Sequence, residues 1–152
     1  MIVHFICAGN VYRSRLAESY FNSKVTKGLT CFSSGIVAGQ DLIGPISWLA
    51  ERIIQRNNLA PYMSFSFQKT SKELLDKADF TIFMEEYMLD FCKKEFGYNS
   101  QNYESWNIPD LILIPGVYEE LEKDAEKIRV SEETFEDIKQ KVNNLIIKLQ
   151  RV

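Results

Sequence analysis

The sequence predicts an α/β fold: a three-layer, doubly wound domain with a central, mostly parallel four-stranded sheet and helices on both faces. Three observations predict it. Short apolar runs alternate with stretches of helical period, the pattern of strand-helix-strand units. The first run, IVHFIC, is apolar at every position except His4, as a strand buried on both faces requires. Near the C-terminus, Phe135, Ile138, Val142, Leu145, Ile146 and Leu149 keep the 3,4 rhythm of a helix stripe facing a core. With 152 residues, 45% hydrophobic and 26% charged, the chain is large enough to bury one core. It shows no linker, repeat or low-complexity tract and reads as one domain over residues 1–152.

The elements follow in order. After IVHFIC, the segment CAGNVYRS turns the chain into a helix expected from about Ser14 to Val25, with Leu16, Ala17, Tyr20, Phe21 and Val25 on one side. LTCFSS is the second strand. The loop GIVAGQDLIG leads to a helix expected to open at Pro45, which suits a first helical turn, and to run through Trp48, Leu49 and Ile53 to Asn57. Thr70 and Glu73 have the spacing of a capping box for a short helix ending near Lys77. DFTIFM is the third buried strand, and EEYMLDFCKKEF a helix closed by Gly97. The fourth strand is expected around Trp106 to Ile108, and the last helix from Ser131. Residues 111–130 show no clear pattern beyond an acidic stretch from Glu119 to Glu126, which suits a solvated helix face.

Composition removes several classes of function. A net charge of -3 with scattered basic residues gives no footprint for nucleic acid and no polybasic membrane patch. No apolar run approaches the length of a bilayer span, and the apolar start lacks the flank of a signal peptide. Three cysteines at irregular spacing fit free thiols in a reducing cytosol better than a disulfide framework, so a cytoplasmic location is expected. With one histidine, inside the first apolar run, the chain has no HExxH metal site or Cys/His zinc finger, and no metal or cofactor is expected. His4, Cys31, Cys92, Trp48 and Trp106 all read as core residues.

The loop CAGNVYRS carries the chemistry. It places Cys7 at a strand end, Arg13 six residues on, and a helix start immediately after. Successive N–H groups at a helix N-terminus make an anion site, and Gly9 permits close backbone approach to an oxyanion. Arg13 can grip two phosphoryl oxygens with its planar fork. Cys7 in that positive field is expected to be a thiolate. A thiol of pKa about 8.5 is already roughly 3% ionised at pH 7, so full ionisation gains about 30-fold, or ~2 kcal/mol. Phosphate ester cleavage needs far more. The larger share must come from the cradle, from Arg13 and from protonation of the leaving oxygen. Neither Cys31 nor Cys92 has an arginine at the same offset.

On these residues the sequence resembles the low-molecular-weight protein tyrosine phosphatases. Their signature, a buried strand followed by C-x-G-N-x-C-R-S and a helix with Ala-Glu, stands here as CAGNVYRSRLAE. FSSG, LLDKADFTIFM and the IPD of residues 108–110 resemble later segments of the family. The resemblance implies a single phosphatase-like domain that hydrolyses phosphotyrosine in proteins, or small aryl phosphates, through a phosphocysteine. It implies Cys7 as nucleophile, Arg13 as the phosphate-binding residue and Asp110 as general acid. Ala8, Gly9, Asn10, Val11, Tyr12, Arg13 and Ser14 would cradle the phosphoryl group; Asn10, Ser14 and Ser33 would brace the loop. Asp41, in the loop after the second strand, is the reserve acid.

Four residues depart from the family pattern. Tyr12 replaces the usual second loop cysteine, so no protective disulfide can form inside the loop. Arg15 stands where a proline is usual, and Gly39 where many members carry an aromatic wall. Asp110 is followed by Leu111 and Ile112 instead of Pro-Tyr. Alternatives therefore stand beside the leading reading. A phosphate-reading module with weak or no turnover would keep Arg13 and the cradle without a working acid. Arsenate reductase uses a similar loop but needs further cysteines in relay. Protein-arginine phosphatases carry a loop threonine where Val11 offers no hydroxyl.

Overall fold

The computed structural model describes residues 1–24, 27–40, 44–111 and 124–151. Four parallel strands form one sheet in the order β2-β1-β3-β4: β1 is Ile2–Cys7, β2 Thr30–Gly35, β3 Phe80–Phe83 and β4 Tyr103–Ser105. The helices between and after them are α1 (Arg13–Ser23), α2 (Trp48–Arg56), α3 (Lys72–Lys77), α4 (Glu86–Phe96) and α5 (Asp124–Gln150). Crossovers between parallel strands are right-handed, so β1→β2 and β3→β4, which run in opposite directions along the sheet, put α1 and α4 on opposite faces. α1 packs with α2 and α5 over one face, and α3 and α4 lie against β1 and β3 on the other. The doubly wound, three-layer arrangement expected from the sequence is thus the observed one.

Burial on both faces explains the apolar runs. Val3, Phe5, Ile6, Ile82 and Phe83 have no exposed surface, and each such side chain contributes about 1.5–3 kcal/mol of transfer free energy. His4 sits among them. Its Nε2 lies 2.6 Å from Ser34 Oγ and its ring stacks on Phe32 at 4.3 Å. Burial first, and Lys77 second, push its pKa down to about 3, so the ring is neutral. Cys92 is buried, with its thiol pushed up to about 12 by burial. Cys31 is half-buried, its thiol raised well above the ordinary value by burial and by Glu18.

Several expectations are corrected. α2 opens at Trp48 after Ser47, not at Pro45, because residue 47 is held to the phosphate-loop segment by its N–H on Val11 O at 2.8 Å. Trp48 is 49% exposed and is no core residue. Ser71, not Thr70, caps α3, accepting from Leu74 N–H at 3.2 Å; Thr70 is engaged with Ser34 Oγ at 2.6 Å. β4 lies three residues before its expected place. Trp106 and Ile108 are buried but follow the strand, which left-handed Asn107 (φ 54) ends; the strand itself is the half-buried edge segment Tyr103–Ser105. α5 begins at Asp124, seven residues before Ser131. Its first turns bury Lys127 and Val130 and are laced by Arg129 with Glu126 and Glu133. α1 ends at Ser23, and Val25 and most of the stretch from 111 to 130 lie outside the described residues.

Candidate active site

The loop of residues 8–12 joins the carboxyl end of β1 to α1 and is tied down by its neighbours. Ile36 N–H donates to Cys7 O at 3.1 Å and Val37 N–H to Ala8 O at 3.0 Å. Gly35, the last residue of β2, permits this approach: a Cβ there would stand 2.4 Å from Ala8 O and 2.6 Å from Asn10 N. Asn10 takes the left-handed conformation (φ 56), which asparagine tolerates better than most residues. Its side chain holds the turn. Nδ2 donates to Ser14 Oγ and to Ser33 Oγ, each at 2.8 Å, and Oδ1 accepts from Gln68 N–H at 2.9 Å.

Inside this frame Cys7 is 3% exposed, and its Sγ lies 2.9 Å from Ser14 Oγ and accepts from Asn10 N–H at 3.2 Å. Tyr12 stands at the N-cap of α1, and its side chain makes no capping bond to the helix donors. Among the described residues, the N–H groups of Gly9 and Val11 donate to no protein acceptor. A concavity of unspent N–H groups beside a helix N-terminus attracts anions.

Arg13 closes the site from the far side. Nη1 donates to Glu85 Oε2 and to Ile108 O, both at 2.6 Å, and Nη2 donates to Asp110 Oδ2 at 3.2 Å. Burial opposes the Arg13 charge, but Cys7, Asp110 and Glu85 outweigh it and hold the guanidinium above its ordinary range. Glu85 follows β3, and Asp110 lies beyond β4. The carboxyl ends of all four strands therefore contribute, as expected for ligand sites in open α/β sheets. Such a set can hold a tetrahedral dianion between backbone donors and a cationic fork, with a thiol at one end and a carboxyl group at the rim.

The residues anticipated from the sequence come together. Cys7 through Ser14 share the loop, Ser33 joins it through Asn10, and Asp110 meets Arg13. Asp41 lies outside the described residues. Sequence reasoning missed Glu85, although a charged residue directly after a buried strand is a usable signal in this fold class. It also missed Arg15, Glu18, Ser64 and Gln68, which support the loop from behind, and Phe67, whose ring lies against Gly39. No local pattern marks these, since their partners come from distant segments.

Fold and site together define a phosphatase-type α/β protein with a strand-end anion loop. The chain belongs to the low molecular weight phosphotyrosine protein phosphatase family, whose model it matches over residues 2–152. Among solved structures it is similar to the YwlE arginine phosphatase from Geobacillus stearothermophilus, at 19% identity and a TM-score of 0.79, over 99% of this chain and 93% of that one. It is similar to a low molecular weight protein tyrosine phosphatase from T. tengcongensis at 21% identity and a TM-score of 0.76, over 97% and 99%. It also resembles Vibrio vulnificus Wzb in complex with benzylphosphonate, at 15% identity and a TM-score of 0.77, over 97% of each chain. At these identities the likeness speaks for the fold. No curated protein matches the sequence.

Proposed function

We propose that this protein is a phosphomonoesterase that cleaves phosphotyrosine in proteins, or small aryl phosphates, through a phosphocysteine on Cys7. The observation that carries the reading is the meeting of Cys7 Sγ, the loop N–H groups and an Arg13 guanidinium bonded to Asp110 at one set of strand ends. Nη1 is engaged by Glu85 and Ile108 O and Nη2 by Asp110, and the Tyr87 hydroxyl also stands against the guanidinium; the Nε–H side of Arg13 is the part we assign to phosphoryl oxygens. In the first step the Cys7 thiolate attacks phosphorus, the bond from phosphorus to the aryl oxygen breaks, and Asp110 gives its proton to that oxygen. In the second, water attacks phosphorus and yields its proton to Asp110. The S–P bond then breaks, releasing inorganic phosphate and the thiolate. Ser14 Oγ, 2.9 Å from the sulfur, supports it in both steps.

The family match supports phosphatase chemistry, and the finer assignment is tested by turnover. Wild-type protein is expected to hydrolyse p-nitrophenyl phosphate and a phosphotyrosine peptide, with a phosphoryl group trapped on Cys7 by rapid acid quench. Cys7→Ser should keep the fold and phosphate binding while turnover vanishes. Asp110→Asn should slow the phosphotyrosine peptide by about 10²–10⁴-fold and activated aryl esters less, because a better leaving group needs less protonation. Preference for a phosphoarginine peptide, or phosphate binding without turnover of any ester, would replace the reading with one of its alternatives.

A further inference from the structure

Behind the phosphate loop lies a buried ion pair. Arg15 has no exposed surface and Glu18 is 4% exposed; Arg15 Nε stands 3.8 Å from Glu18 Oε2 across one turn of α1. Burying two charges is costly unless hydrogen bonds satisfy them, and here, apart from Arg15 Nε, which has no hydrogen-bond partner among the described residues, they are spent on four segments, at residues 10, 33, 45 and 64. Arg15 Nη1 donates to Asn10 O at 3.3 Å and to Pro45 O at 3.1 Å, and Nη2 donates to Ser64 O. Glu18 accepts from Ser33 Oγ, from Ser64 N–H at 3.1 Å and from Ser64 Oγ. Ser33 Oγ in turn accepts from Asn10 Nδ2 at 2.8 Å. The circuit closes on Asn10, gripped by its side chain through Ser33 and Glu18 and by its carbonyl through Arg15.

That grip bears on the anion cradle through the geometry of one peptide. In a trans peptide the C=O and the following N–H point in opposite directions. Drawing Asn10 O back to the buried guanidinium therefore turns Val11 N–H away from it, toward the open side of the loop. Val11 N–H is one of the donors without a protein acceptor among the described residues. Asn10 is also the loop residue in the left-handed conformation, which needs its surroundings to hold it.

We infer that Arg15 is a positioning residue for this site: paired with Glu18, it fixes the Asn10–Val11 peptide and ties the phosphate loop to segments 45 and 64, so that the loop stays shaped for a phosphoryl group. The inference rests on the proposed phosphate chemistry and assigns a task to a residue that departs from the family pattern. Burial lowers the Arg15 pKa, but Glu18, Cys7 and Glu51 oppose this, in keeping with a cation held at the junction of helix and loop.

Four proteins test it: wild type, Arg15→Met, Arg15→Lys and the doubly neutral Arg15→Met/Glu18→Gln. Each is assayed by thermal unfolding, by calorimetric Kd for inorganic phosphate, and by kcat and KM on p-nitrophenyl phosphate. Folded Arg15→Met should bind phosphate about tenfold more weakly and lose about 10²-fold in kcat, the scale of one displaced oxyanion donor. Arg15→Lys, which retains the charge but cannot span all three carbonyls, should recover part of the kcat. The double variant should fold without a stranded buried carboxylate and remain as slow as Arg15→Met. If Arg15→Met does not fold, the double variant decides, and after it Arg15→Lys. Phosphate Kd and kcat within about twofold of wild type in a folded variant lacking Arg15, a double variant restored to wild-type kcat, or failure of all three variants to fold would each overturn the inference. The wild type reports separately on the function: phosphate binding without turnover sinks the phosphatase reading while the Kd ratio still decides the role of Arg15, and absence of both removes the two together.

Discussion

Arg13 shows how much one side chain is asked to do. Its Nη1 serves Glu85 and Ile108 O, its Nη2 serves Asp110, and the remaining edge is the one proposed to grip phosphate. A lysine brings the same charge but presents three donors at a point, so it cannot hold the two carboxylates and the carbonyl while also bridging two phosphoryl oxygens. Arg13→Lys is therefore expected to lose about 10²–10³-fold in kcat/KM on p-nitrophenyl phosphate, close to the loss in Arg13→Ala. A mild loss in the lysine variant would reduce the role of Arg13 to simple charge attraction.

Among the elements, the end of β2 matters to the site as much as the end of β1. Gly35 lies where the loop of residues 8–10 crosses the sheet end, and its N–H and O are engaged by Gln68 O and Thr70 N–H at 3.0 and 2.9 Å. Backbone on both sides leaves an added methyl nowhere to go, because Ala8 O and Asn10 N stand within 2.6 Å of a Cβ. Gly35→Ala is expected to cost about 2–3 kcal/mol in urea unfolding and to abolish most turnover by pushing the loop off its brace. The parallel change Gly97→Ala, at a site whose Cβ would meet nothing within 4 Å though φ is 66, should cost about 1 kcal/mol and leave kcat unchanged. The contrast separates a helix terminator from a contact position.

For the molecule as a whole, the buried neutral His4 makes stability depend on pH. Its pKa is near 3 when folded and 6.5 when unfolded, so between these values the unfolded chain binds a proton that the folded one refuses. The stabilisation is complete above pH 6.5 and is lost as pH falls toward 3. Below about pH 6 the loss should approach 1.4 kcal/mol per pH unit. His4 is the sole histidine in the chain, which makes the attribution clean. Urea midpoints between pH 7 and 5 should fall in wild type and change little in His4→Gln; equal slopes would assign the acid sensitivity to carboxylates. Glu104 acts in the same direction at lower pH: burial opposes its charge, but Lys148 and Trp106 hold its pKa below the ordinary value.

Local signals determined the fold class and the loop. Apolar runs, helical period and the CAGNVYRS turn are written in neighbouring residues, and their consequences, β1, α1 and a cysteine facing a helix start, follow from backbone geometry alone. The same locality misplaced β4, because buried Trp106 and Ile108 look more like a strand than the polar Tyr103–Ser105 that pairs with β3. It also missed the opening turns of α5, whose surface ion pairs carry little apolar period. What tertiary structure alone decided is which polar groups meet. Arg15 with Ser64, Glu18 with Ser33, Arg13 with Glu85 and Asp110 are contacts across long stretches of chain. A buried charge is tolerated only where such partners converge, and convergence is a property of the packed sheet ends that no short window of sequence contains.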